Sequence, residues 1–183
     1  METKPTVRIE DHSDERVASF LVNCPGPEEA AWNLLRDWVT KNVNDYPSRR
    51  YIGYAPKGHH PNGEAHHTDE EVGAHEYAAQ MILFEGEGNR ATFNGADISD
   101  APHGLFLVGD VALNQFAEDG TIDIGLSMET SFGFMSDSLK EMGGYEFDLQ
   151  NRPYFEEHIF TAEWFKGNGE SAGFKLWLPI RKI

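Results

Sequence analysis

The sequence predicts an α+β fold in which a strand-helix-strand-strand unit of about 80 residues occurs twice. Two observations predict it. Each half of the 183-residue chain places a helical apolar pattern between segments of strand character, and a stretch rich in Gly, Pro, Asn and Asp separates the halves. The 12 Phe, 6 Tyr and 4 Trp supply enough apolar area for a sizeable core, which excludes a disordered or fibrous chain.

In the first half, Thr6-Val7-Arg8-Ile9-Glu10 and Val17-Ala18-Ser19-Phe20-Leu21-Val22 read as strands on either side of a charged turn. A helix is predicted over 27–42. Pro27 suits its first position, Glu28 and Glu29 complement its positive end, and Ala31, Leu34, Leu35, Trp38 and Val39 recur at helical spacing. Asn44, Asp45 and Pro47 end it, and Arg50 to Tyr54 opens a strand. Lys57 to Gly73 is polar, without periodicity, and reads as a surface loop. His75 to Phe84 is a strand apolar on both faces, as a doubly covered strand should be.

The connection spans 86–103, and the second half repeats the order. Gly104 to Leu113 is a strand. Met128, Phe132, Met135, Leu139 and Met142 form one helical stripe, stopped by Gly143 and Gly144. Tyr145 to Phe160 is extended with a break near Arg152-Pro153, and Phe174 to Ile180 closes the chain. The division is therefore about 5–85 and 104–183 within a single domain covering 1–183.

With 31 acidic against 15 basic side chains and a formal charge of −16, the surface would repel a phosphate backbone, so no direct nucleic-acid contact is expected. Cationic partners are favoured. Cys24, the single cysteine, cannot form an internal disulfide, and there is neither a signal-peptide pattern nor an apolar run of membrane length. A cytoplasmic setting is the expectation.

Several landmarks carry a family likeness. They are Val17 to Leu21 followed by Pro25-Gly26-Pro27, the helix segment Ala31-Trp32-Asn33-Leu34-Leu35-Arg36-Asp37-Trp38, Tyr51-Ile52-Gly53-Tyr54, the His75-Glu76-Tyr77 region and Gly109 within a strand. Pro153-Tyr154-Phe155-Glu156-Glu157-His158 is similar to the pattern Pro-x-Phe-Glu-x-Tyr, and Phe174 to Lys182 to an apolar strand ending in Pro-Ile-Lys. In these features the chain resembles the GyrI-like domains, the effector-binding domains of bacterial transcription activators. His158 stands where that pattern has tyrosine, and the histidine-rich loop is not part of it.

The resemblance implies pseudo-twofold symmetry, a curved antiparallel sheet with two main helices, and a ligand cleft between the halves. It implies a free-standing effector-binding protein for lipophilic, cationic small molecules, connected with transcriptional regulation or drug resistance, without a cofactor. Hydrolysis of cyclopropane-bearing electrophiles in the same cleft and a gyrase-inhibitor role are the alternatives it brings. Whether the chain is an enzyme stays open, binding being favoured. The partners implied are a small molecule and, in some members, a regulatory protein or gyrase.

The motif glutamate corresponds to Glu156, with Tyr154 and His158 beside it, and Trp32, Tyr51 and Trp177 fall on aromatic positions of the cleft. A carboxylate among rings suits a lipophilic cation, since ring faces attract the charge that the carboxylate neutralises. Strand alternation puts Tyr154, Glu156, His158 and Phe160 on one face and Phe155, Glu157 and Ile159 on the other, so alternation alone leaves Glu157 a rival to Glu156. Solvated glutamates and core-packed tryptophans are the bland alternatives for these residues.

Other chemistry is disfavoured. His59, His60, His66 and His67 lie among acidic residues, but neighbouring histidines on extended backbone point apart and the spacing fits no standard motif, so no metal site is predicted. Cys24 lacks an evident base, and Glu85-Gly86-Glu87-Gly88 lacks the context of a phosphate loop.

Overall fold

The computed structural model describes residues 6–57, 73–169 and 171–183. The histidines from His59 to His67 lie outside the described residues. Strands β1 (Val7–His12), β2 (Arg16–Cys24), β3 (Tyr51–Tyr54), β4 (His75–Ile82), β5 (Thr92–Phe93), β6 (Ala96–Asp100), β7 (Gly104–Asp110), β8 (Tyr145–Phe147), β9 (Phe155–Phe160) and β10 (Ser171–Lys182) form an open antiparallel sheet. Its order is β1-β7-β10-β9-β3-β4-β2-β6-β5, with β8 on the end of β10. The helices are α1 (Pro27–Asn42), α2 (Ile124–Met142) and the short α3 (Ala162–Phe165).

The order contains the expected duplication. Outward from the centre, β9-β10-β7 mirrors β3-β4-β2, and each triple has its helix between its opening strand and its central one. The halves meet where β3 pairs with β9 in the register Tyr51↔His158, Ile52↔Glu157 and Gly53↔Glu156.

Helix α1 covers the predicted residues. Gly26 caps it in the left-handed conformation, and Pro27, Ala31, Leu35 and Val39 form the buried stripe. In α2 the predicted stripe is out of phase in the first turns. Ser127, Ser131, Met135 and Leu139 face inward, while Phe132 and Met142 are exposed. The reason is hydrogen bonding: the backbone N–H groups of Gln115 and Ala112 donate to the Ser127 and Ser131 hydroxyls, so two polar residues serve the core face. Phe132 instead stacks on Phe147.

Three further features of the sheet were not among the expectations. β1 pairs with β7 of the other half, not with β2. The 86–103 connection holds β5 and β6, of which β6 extends the sheet beside β2. Helix α3 lies between β9 and β10, in a stretch for which no element was predicted, and buries Trp164 and Phe165 against Phe160 and Tyr51.

Both faces of the sheet carry core. On the helix-bearing face, α1 packs over Ala18, Tyr77, Ala79 and Met81, and α2 over Leu107, Phe174, Leu176 and Leu178. The opposite face gathers Val17, Ile52, Ile82, Phe106, Val108, Phe155 and Trp177 from both halves. Phe155 is fully buried and stacks on Trp177 at 5.0 Å. Phe155→Ala should therefore destabilise the protein by about 3–5 kcal/mol, read as a lower denaturant midpoint in equilibrium unfolding.

Candidate functional site

The centre of the helix-bearing face is built around Glu156 of β9. Its cross-strand neighbours are Gly53 on β3 and Leu176 on β10. Gly53 supplies space: an added Cβ would overlap the Tyr77 hydroxyl and stand 2.6 Å from Trp32 Cζ2 and 2.9 Å from Tyr77 Cζ. Lacking it, the Trp32 indole from α1 and the Tyr77 phenol from β4 close over β3 next to the carboxylate. The Trp32 ring lies 4.7 Å from His158, 5.1 Å from Phe160 and 6.3 Å from Tyr77.

The Glu156 side chain is 12% exposed, and its Oε2 stands 3.1 Å from His158 Nε2. The imidazole stacks on Phe160 at 5.5 Å and 16° and on Phe174 at 5.4 Å and 24°. Two phenols feel the carboxylate. Burial pushes the Tyr154 hydroxyl up, and the charges of Glu156 and then Glu28 add to that. The Tyr77 hydroxyl is raised strongly by burial and further by Glu156, against the opposing effect of a hydrogen bond with Trp32; Glu28 again raises it. Both remain protonated throughout the physiological range. Glu28, in the first turn of α1, lies 3.3 Å from His75 Nε2, while the other ring nitrogen of His75 is 3.2 Å from the Gly73 carbonyl.

Five of the expected site residues therefore share this face, in different roles. Glu156, His158, Trp32 and Tyr154 converge. Tyr51 is on the same face but buried behind it, its hydroxyl donating to the Tyr46 carbonyl at 2.6 Å and its ring against Phe160 and Phe165. Trp177 is on the opposite face, so the structure does not bring it to Glu156. The expectation failed because the register of β10 pairs Leu176, not Trp177, with Glu156. Sequence reasoning missed Gly53, Tyr77 and Glu28 as site residues. Glu28 gave a partial signal as a helix-start acid, but no local pattern points Tyr77 across β3.

Glu157 faces away and is fully engaged. Arg50 Nε and Nη2 donate to its two oxygens at 2.8 and 3.2 Å, and the Trp177 indole donates at 3.1 Å. Arg50 Nη1 also donates to Glu15 at 2.7 Å. Glu15 in turn meets His12 Nε2 at 2.5 Å, and His12 Nδ1 donates to the Pro102 carbonyl at 2.5 Å. This chain of charges borders an open cavity of about 250 Å³ with Lys175 and Arg8 at its walls. Among the described residues no group of three or more His, Cys, Asp or Glu is placed to hold a metal ion. No described helix is long and apolar enough to cross a membrane.

No family model matches the sequence, and no curated protein matches it significantly. Solved structures do. The fold is similar to the EcmrR C-terminal domain, with a TM-score of 0.54 at 10% identity over 100% of both chains. EcmrR in its complex with DNA gives the same TM-score and identity, covering 98% of this chain and 58% of that one. The chain thus spans little more than half the length of that EcmrR chain. An uncharacterized conserved protein from Listeria innocua matches with a TM-score of 0.52 at 10% identity, covering 96% of this chain and 92% of its own. At such identity the likeness is one of fold.

Two predictions follow from the packing and the charges. Gly53→Ala should drive Trp32 and Tyr77 off β3, lowering stability by about 1–3 kcal/mol and altering the near-UV circular dichroism of the aromatic residues. Burial raises the Glu15 carboxyl, but the His12 hydrogen bond and the Arg50 charge outweigh it and hold the group below its ordinary 4.5. Ionised Glu15 thus stabilises the fold above about pH 4.5, and this contribution disappears as pH falls through the lower folded value. Glu15→Gln should accordingly be less stable than the parent at pH 7, the difference closing in acid, as measured by urea unfolding across pH 2.5–7.

Proposed function

We propose that this chain is an effector-binding unit that takes up small lipophilic cations on the helix-bearing face at the β3–β9 seam, with Glu156 as the charge partner. The observation that supports it is a carboxylate 12% exposed among Trp32, Tyr77, Tyr154 and His158. Ring faces attract a cation more strongly where water is excluded, and a poorly hydrated carboxylate gains from the same cation. The second carboxylate, Glu28, adds negative field at the rim. Its likeness in fold to the whole EcmrR C-terminal domain, part of a protein seen bound to DNA, supports a sensor role in gene regulation. The strongly acidic chain itself is not the DNA-binding element.

A second reading is favoured by the two protonated phenols. A carboxylate flanked by hydroxyls that keep their protons has the parts for water attack on an electrophile: Glu156 as base, Tyr77 or Tyr154 as acid. Incubation with a cyclopropane-bearing electrophile and mass analysis for addition of water separates turnover from capture.

In fluorescence titrations with a lipophilic cationic dye at pH 7.5, Glu156→Gln should weaken binding at least about tenfold, the loss of a charge-assisted contact in a poorly hydrated site. Equal affinities of mutant and wild type would remove Glu156 from the proposed role.

A further inference from the structure

A second carboxylate stands on the same face as Glu156, at the far end of the same row of rings. Glu28 and Trp32 are four residues apart on α1, so they are neighbours one turn apart on one side of the helix. Opposite them on β4 are His75 and Tyr77, two residues apart and therefore on one side of the strand. Helix and strand meet twice: Glu28 Oε1 lies 3.3 Å from His75 Nε2, and the Trp32 ring lies 6.3 Å from the Tyr77 ring. Trp32 is also 4.7 Å from His158, whose Nε2 is 3.1 Å from Glu156 Oε2. The rings of Trp32 and Tyr77 thus lie between two carboxylates, Glu28 with its side chain 39% exposed and Glu156 with its side chain 12% exposed.

We propose that this face binds a dication, with one positive group at Glu156, the other at Glu28, and an apolar spacer across Trp32 and Tyr77. The inference rests on the ligand reading given above and names its substrate class. The strand register gives the span. Glu28 reaches β4 at His75, while Glu156 faces Gly53, whose β4 partner is Ala79, so the carboxylates enter the face four β4 residues apart, roughly 13 Å at about 3.3 Å per residue. That is too far for a single compact cation to engage both, and the surface between them offers ring faces to a hydrocarbon spacer and to the charges at its ends.

The charges favour this direction along α1 over the other. About two turns beyond Glu28, Arg36 holds its guanidinium 5.5 Å from the Trp164 ring centroid, so the helix presents an anion before Trp32 and a cation after it. Burial raises the hydroxyls of Tyr77 and Tyr154, and the charges of Glu156 and then Glu28 raise both further, so the two carboxylates act on the same two phenols. The positive end of the α1 macrodipole opposes a cation at Glu28 by about half a charge, which the full charge of the carboxylate exceeds. Because Glu28 is the more exposed of the two, its contribution is the smaller.

Quaternary ammonium compounds supply the probes, since their charges do not titrate. Decamethonium carries two such groups on a ten-methylene chain whose extended length matches the span; decyltrimethylammonium has a chain of the same length and one charge. In calorimetric titrations of the full chain at pH 7.5, with about 0.15 M salt to screen the general field of the acidic surface, the dication should bind about fivefold more tightly than the monocation. Hexamethonium, too short to reach both carboxylates, should show no such advantage over hexyltrimethylammonium. Glu28→Gln should abolish the decamethonium advantage while leaving decyltrimethylammonium binding unchanged, whereas Glu141→Gln, at an exposed position of α2, should leave the advantage intact. Equal affinity for the two ten-carbon probes, the same advantage at six methylenes, or an advantage that survives Glu28→Gln or falls equally in Glu141→Gln overturns the dication and leaves the ligand reading in place. Failure of every probe to bind the wild type, or decyltrimethylammonium binding Glu156→Gln as tightly as the wild type, sinks the ligand reading instead.

Discussion

The pairing of β3 with β9 is the constraint on which the rest of the site depends. It joins the two repeated units through the strand of each that lies at the middle of the sheet, and its register sets Glu156 opposite a glycine. Because side chains alternate, the same register sends Phe155 and Glu157 to the far side of the sheet and keeps Glu156 and His158 on the helix-bearing side. A slip of one residue would exchange the two sets. It would bring Phe155 under Trp32, pull the Phe155 ring out of its apolar cluster and take Glu157 away from Arg50. The cost of that exchange, a buried ring lost from the apolar cluster and a glutamate separated from its arginine, protects the register more than the short ladder could alone.

What the chain revealed before folding was whatever is local. The start and end of α1 followed from Pro27, its acidic first turn and its stripe, and the alternation in β9 from residue order alone. Non-local features were hidden. Nothing in Val7 to His12 announces that it pairs with β7 across the molecule, because an edge strand reads alike beside any partner. Trp177 looked like a companion of Glu156, yet a strand's period says which residues share a face and not which neighbouring side chain they meet. The serines of α2 weakened its apolar stripe because hydrogen bonds to a loop, invisible to periodicity, outweighed the burial of Phe132.

Gly53 shows how one absent atom connects the fold to the site. A β-branched residue would serve a central strand better by propensity. The sheet gives up that advantage, and two aromatic side chains from separate elements gain a common floor beside a carboxylate. Those rings also explain the phenols: close packing removes the water that would solvate phenolate, and Glu156 adds its charge to the same effect. Shape and electrostatics at the seam therefore have a shared origin.

The neighbouring glutamates of β9 solve the problem of a poorly hydrated carboxylate in two different ways. Glu157 is held by a forked guanidinium and an indole, with Glu15 sharing the same arginine. An arginine retains its charge at every pH a cell meets, so that arrangement is permanent and belongs to the architecture. Glu156 has a histidine, a single contact at 3.1 Å, and a ring held in place mainly by stacking. Of two adjacent carboxylates on one strand, Glu157 is tied by Arg50 and the Trp177 indole and Glu156 by one imidazole contact, which makes Glu156 the one that the proposed cation can engage.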